Sequence, residues 1–130
     1  MIIVGVYVDD IIFGSNLQIL SVNFASERKK EFEMSMLGEL TFFLGLQFYQ
    51  SSKWIFISQT KYIKDMLKKF KTEDSKPIST PMITGCKLIK DDESLEVYHT
   101  VFISMIGSLL YVTATRPDVM QAVGLVARFQ

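Results

Sequence analysis

Tyr7-Val8-Asp9-Asp10 stands between two apolar runs, Met1-Ile2-Ile3-Val4-Gly5-Val6 before it and Ile11-Ile12-Phe13-Gly14 after it. Runs rich in β-branched residues, broken by two acidic ones, read as a tight hairpin with both carboxylates at its tip. Adjacent carboxylates repel, so a turn that sets two together usually recruits a cation. A hard divalent ion with oxygen ligands, magnesium above all, meets that demand. The plain alternative is an acidic turn held only by solvent. Asp91-Asp92 serves as an internal control: it lacks flanking strands and sits among Lys90, Glu93 and Ser94. That pair reads as solvated, so strand context is what raises Asp9-Asp10 above it.

Downstream, Gly14-Ser15-Asn16 ends the second strand, and Ser15 with Gln18 has capping-box spacing, which predicts a helix from near Asn16. Leu17, Leu20, Phe24 and Ala25 share one face of it. Glu27 to Glu31 is a charged run read as a solvated helix face, and Gly38 marks a turn. Leu40 to Gln50 is a second β block, followed by the polar turn Ser51-Ser52-Lys53 and a strand from Trp54 to Ser58. Gly45 inside that block reads as a bulge or a close backbone approach. Ser58 can cap a helix through Lys61 to Phe70, whose Ile63, Met66, Leu67 and Phe70 form a core stripe. Lys61, Lys64, Lys68 and Lys69 occupy the other face, with Lys71 beyond. Alone, that face reads first as a soluble helix surface and second as a track for a phosphate backbone.

Thr72 to His99 contains Pro77, Pro81 and the acidic residues Asp91, Asp92, Glu93 and Glu96, and reads as a surface connector. A helix is predicted from about Val101 to Thr113 on the stripe Phe102, Met105, Leu109 and Val112. Thr115-Arg116-Pro117-Asp118 has the form of a new helix start, with Thr115 as cap and Pro117 in the first turn.

The chain has 130 residues, 48% of them hydrophobic, enough for one compact core. Lys+Arg and Asp+Glu are both 14, so any nucleic-acid partner must be met by a local patch rather than by net charge. Cys86 is the only cysteine, which excludes a disulfide framework and a zinc cluster. The apolar opening is too short to span a bilayer and lacks the form of a signal peptide. A strand opening at Met1 reads as the middle of a domain, so the chain is expected to be a piece of a longer one.

Further blocks accompany the hairpin. They are Met-Leu-Gly-Glu-Leu-Thr-Phe-Phe-Leu-Gly-Leu-Gln (Met36–Gln47), Ile-Phe-Ile-Ser-Gln-Thr-Lys-Tyr (Ile55–Tyr62) and Thr-Pro-Met (Thr80–Met82). Ser-Met-Ile-Gly-Ser-Leu-Leu-Tyr (Ser104–Tyr111), Thr-Arg-Pro-Asp (Thr115–Asp118) and Ala-Arg-Phe-Gln (Ala127–Gln130) follow. With Tyr-Val-Asp-Asp-Ile-Ile-Phe-Gly-Ser (Tyr7–Ser15), and in this order across nearly the whole chain, they resemble the reverse transcriptase of Ty1/Copia-type retrotransposons.

The resemblance implies part of an RNA-directed DNA polymerase from a Pol polyprotein, working by two-metal nucleotidyl transfer with metals about 3.5–4 Å apart. By it, Asp9 and Asp10 are palm aspartates that bind catalytic Mg2+, and Tyr7 and Val8 lie beside the primer end and the incoming dNTP. Leu44 and Gly45, with the hairpin through Trp54, grip the primer strand. Lys61, Lys64 and Lys68 follow the phosphates of an RNA/DNA primer–template. The implied fold is α+β: 1–58 a partial palm with a primer-grip-like hairpin, 59–71 a thumb-like helix, 72–100 a connector and 101–130 a helical connection. Upstream palm and fingers and a downstream ribonuclease H are expected outside this chain, with no membrane partner. An intracellular setting, a cytoplasmic particle or the nucleus, goes with the family.

Two departures stand against full activity. The family's third metal-binding aspartate lies on an earlier palm strand that this sequence does not contain. His99-Thr100-Val101-Phe102-Ile103-Ser104 replaces the family's tyrosine-arginine-serine approach, with Ile103 in the place of the arginine. The chain alone is therefore expected to be inactive, and the competing reading is a non-catalytic transposon relic retaining at most nucleic-acid binding. An unrelated hydrolase is disfavoured, because adjacent carboxylates do not supply a separated acid and base.

Overall fold

A computed structural model of the chain describes residues 1–83, 85, 86, 88 and 97–129. The Asp91-Asp92 control, Lys90, Glu93, Ser94, Glu96 and Gln130 lie outside the described residues. The architecture is mixed α and β with small antiparallel sheets, an α+β arrangement. It divides into two compact units, Met1–Thr41 and Phe42–Gln130. The second β block thus groups with the helices that follow it.

In the first unit, β1 (Ile2–Tyr7) pairs antiparallel with β2 (Asp10–Ser15), from Ile2 opposite Ser15 to Tyr7 opposite Asp10. Their β-branched residues suit the pleated backbone. Helix α1 (Gln18–Glu31) lies on β2, anchored where the Phe24 ring meets Phe13 at 4.9 Å between centroids. No capping box forms. Ser15 is still in the strand, and its hydroxyl turns to the Leu17 carbonyl (2.6 Å) and to Ser21 (2.8 Å), leaving Leu17 as an N-cap without a side-chain bond. The hydroxyl's hydrogen goes to the Leu17 carbonyl, and its oxygen meets the Ser21 hydroxyl instead of the helix amides it was expected to cap. The outer strand stays open to solvent: Ile3 is 67% and Val6 69% exposed.

The second unit departs from the expected two-stranded hairpin. The run Leu40 to Gln50 folds back on itself as β3 (Phe42–Phe43) and β4 (Leu46–Gln50), and β5 (Ile55–Ser58) completes a three-stranded meander. Leu44 and Gly45, at φ +49° and +83°, are the two central residues of the β3–β4 turn. Positive φ at both is the signature of the type I′ hairpin turn, whose twist matches paired strands. Gly45 is therefore a turn residue and not a bulge. An uninterrupted apolar run concealed the reversal.

Helix α2 (Thr60–Lys69) starts from Gln59 rather than Ser58, which belongs to β5. Its first-turn amide at Lys61 is capped from β4 by the Gln47 carboxamide oxygen, at 2.9 Å. Its far end is a Schellman cap. The Thr72 amide donates to the Leu67 carbonyl (2.9 Å) and that of Lys71 to Lys68 (3.1 Å), with Lys71 at φ +54° where glycine is usual. Helix α3 (His99–Val112) begins two residues before the expected start. A single 3-10 turn (Pro117–Val119) then leads into α4 (Met120–Val126), so the helix expected from Thr115 is delayed and its cap is spent elsewhere. Ile106, at 1% exposure, with Val112 and Val123 forms the core where α4 packs on α3.

Candidate functional site

The acidic motif forms a two-residue turn. Tyr7 ends β1, Val8 and Asp9 make the reversal, and Asp10 opens β2 opposite Tyr7. Tyr7, Val8, Asp9 and Asp10 are all exposed. Val8 carries φ +51° and Asp9 does not share the positive sign, which is the φ pattern of a type II′ turn. Glycine is the residue that adopts this position without strain; a β-branched side chain there is an outlier. Among the described residues no group of three or more His, Cys, Asp or Glu gathers as a metal set. Two hard carboxylates on a rigid hairpin still match how magnesium is ordinarily held, by one or two carboxylates together with water and substrate phosphates. An apolar groove of about 580 Å³ lies beside the hairpin, lined by Ile3, Val4, Ile12, Phe13 and Leu40 among others, and neither aspartate borders it.

The remaining expected site residues fall in the second unit, where they are joined. Helix α2 presents Lys61, Lys64 and Lys68 to solvent along one face. The Lys61 ammonium lies 5.6 Å from the centre of the Phe42 ring, which places the start of the lysine face against the β3–β4 hairpin. Lys69 leaves that face: its ammonium donates to the Ser104 hydroxyl on α3 at 2.8 Å.

The Leu44–Gly45 turn is held from two helices. Tyr62 of α2 and Tyr111 of α3 meet edge to face, with ring centroids 5.0 Å apart. A Cβ on Gly45 would stand 3.4 Å from the Tyr62 ring and 3.6 Å from that of Tyr111, so both tyrosines pack onto the glycine. The Tyr111 hydroxyl donates to the Leu44 carbonyl. Behind it Gln59, 1% exposed, donates from Nε2 to the Tyr111 carbonyl at 3.1 Å and accepts from the Thr115 hydroxyl at 2.7 Å. Tyr62 donates to the Ser108 carbonyl at 3.4 Å. Gln59, Tyr62 and Lys69 thus meet Tyr111, Ser108 and Ser104 in reversed order, the seam of an antiparallel helix pair.

No role at the turn was read from the sequence for Gln47, Gln59, Tyr62 or Tyr111, and Thr115 was read only as a helix cap. Gln47 carried one available signal, a carboxamide between the apolar Leu46 and Phe48, where burial demands a partner; Gln59, between Ser58 and Thr60, carried none. Nothing local marked Tyr111 as the partner of a turn that lies 67 positions earlier.

Residues 1–84 match the reverse transcriptase (RNA-dependent DNA polymerase) family. The chain is 34% identical over 98% of its length to the retrovirus-related Pol polyprotein of transposon TNT 1-94 from Nicotiana tabacum, of which it spans 10%. It is 32% identical over 95% of its length to that of transposon RE1 from Arabidopsis thaliana, spanning 8% of it. An uncharacterized mitochondrial protein of Arabidopsis thaliana is 34% identical over 94% of the chain, which covers 50% of that protein. No solved structure matches the chain. With the hairpin motif, the family match over its first two thirds and these Pol relatives in agreement, the chain belongs to the reverse transcriptase family of Ty1/Copia-type retrotransposons.

Proposed function

We propose that this chain supplies one part of a templated nucleotidyl transfer, with 1–58 acting as partial palm and primer-grip-like hairpin, 59–71 as a thumb-like helix, 72–100 as connector and 101–130 as connection. The observation that carries the reading is the exposed two-residue turn that places Asp9 at its apex and Asp10 at the first position of β2, in a chain of this family. Asp9 and Asp10 hold magnesium, which when bound activates the attacking hydroxyl and neutralises the leaving group. Strand pairing on both sides fixes the carboxylates more tightly than a loop could. Tyr7 and Val8 flank the primer end and the incoming dNTP. The Leu44–Gly45 turn bears on the primer strand, and Lys61, Lys64 and Lys68 follow the phosphates of the RNA/DNA primer–template.

Two carboxylates hold a metal pair weakly, so the 130-residue chain by itself is inactive. Primer extension with magnesium should give no product above an Asp9→Asn control; product lost on that substitution would overturn the claim of inactivity. Titration with magnesium, followed by amide shifts, should move Val8 to Ile11 in the native chain. An Asp9→Asn/Asp10→Asn chain should stay still, and equal movement in both removes the metal assignment.

A further inference from the structure

We infer that Tyr111 is a positioning residue that sets the Leu44–Gly45 turn and the lysine face of α2 into one rigid nucleic-acid surface; this rests on the reading of that turn and face given above. Within its own sheet, a two-residue turn with positive φ at Leu44 is tied only by local strand pairing, to which β3 contributes just two residues. A backbone that must meet a ligand needs its orientation fixed by something larger. Tyr111 does this at two points, its hydroxyl on the Leu44 carbonyl and its ring over Gly45. Its ring also meets that of Tyr62, the residue next to Lys61 on α2, edge to face. Turn and lysine face are therefore referred to the same side chain.

Tyr111 is held in turn. Gln59 spends its amide hydrogen on the Tyr111 carbonyl and is oriented by the Thr115 hydroxyl, so the carboxamide cannot flip without breaking both bonds. Gln59 itself is 1% exposed, so losing either partner leaves its carboxamide unsatisfied, whereas the Tyr111 hydroxyl meets Leu44 at the exposed end of the network. This also explains why Thr115 does not cap the helix after it.

The test uses the full chain and a fluorescent RNA/DNA primer–template duplex, titrated at several salt concentrations well below the unfolding midpoint. Tyr111→Phe keeps the ring and removes only the hydroxyl. The expected result is affinity lower by about threefold to tenfold and a log-affinity versus log-salt slope smaller by about one phosphate contact, with faster amide exchange at Gly45 and Leu46. Thr115→Val should act in the same direction and Thr115→Ser should restore native binding, which keeps the question open to decision if Tyr111→Phe does not fold. Native duplex that binds all variants with one affinity and one slope overturns the positioning role and leaves the nucleic-acid reading standing. A native chain that shows no salt-dependent binding, unchanged by Lys64→Ala/Lys68→Ala, overturns the nucleic-acid reading and the inference with it.

Discussion

The two tight turns of this chain are supported in opposite ways. At Val8–Asp9 a β-branched residue adopts φ +51° with its side chain 79% exposed. At Leu44–Gly45 the backbone is equally left-handed, but two tyrosines cover the glycine and a hydroxyl holds the leucine carbonyl. A left-handed residue with a Cβ costs about 1–2 kcal/mol. Such strain persists where the surroundings over-determine it, or where a site uses it. The second turn has its restraint within its own unit. The first, bearing the two aspartates, leaves its left-handed valine open to solvent.

Removing the support beneath the braced turn gives the largest expected effect. Ile106 is the most buried residue of α3, and truncating it to alanine leaves a cavity worth about 2–5 kcal/mol. If α3 is the brace, amide exchange in Ile106→Ala should accelerate at Gly45 while the amides around Val8 keep their native rates. Equal acceleration at both turns would break the contrast.

Gly45→Ala acts on the turn itself. At φ +83° the new methyl meets a disfavoured backbone and lies 3.4 Å from the Tyr62 ring, so a loss of about 1–2 kcal/mol follows. Thermal unfolding of the variant measures it, and an unchanged midpoint would mean that the tyrosines yield freely.

How much of this was legible in the sequence differs between the two turns. Val8–Asp9 was readable because acidic residues interrupt an apolar run, and punctuation of that kind marks a reversal. The second turn lies inside Phe42-Phe43-Leu44-Gly45-Leu46, where no polar residue interrupts the run, and only the glycine hinted at it. Helix α2 was legible from its periodic core stripe, yet its caps were not. Ser58 looked like the cap, whereas Gln47 supplies it from a neighbouring strand, a contact that only strand pairing brings about. Thr115 failed for the same reason: its hydroxyl is turned to donate to a buried carboxamide oxygen distant in sequence, away from the local amides. The lysine face was legible as a set, but helical periodicity could not show that Lys69 would turn to Ser104 on another helix.

Substituting glycine at the unbraced turn sharpens the contrast from the other side. Val8→Gly relieves the left-handed strain and exposes no core, so unfolding of the first unit should shift upward by about 1 kcal/mol. Lys71→Gly, at φ +54° in the cap of α2, is the matching control on the second unit and should gain about 0.5–1 kcal/mol. Should Val8→Gly instead destabilise, the valine is restrained by contacts of its own and the two turns are alike after all.

The smallest effect compares the units through their exposed ion pairs. In the first, Lys30 bonds Glu27 at 2.7 Å and holds that carboxyl below its usual range. In the second, the Arg116 guanidinium grips Asp118 as a fork, 2.9 Å from Nε and 2.7 Å from its terminal nitrogen, and lowers that carboxyl too. A carboxyl depressed in the folded state binds its proton less readily there than in the unfolded chain. Its contribution is therefore complete above the unfolded values, 4.5 for Glu27 and 3.8 for Asp118, and fades as pH falls through the folded ones. Both groups are solvated, so the loss should be minor and should vanish in high salt. Thermal midpoints measured down through this range should fall less steeply for Asp118→Asn than for the native chain. A fork engages both carboxylate oxygens where Lys30 engages one, so Asp118→Asn should flatten the acid limb more than Glu27→Gln. The reverse order would show that the single lysine contact is the stronger restraint.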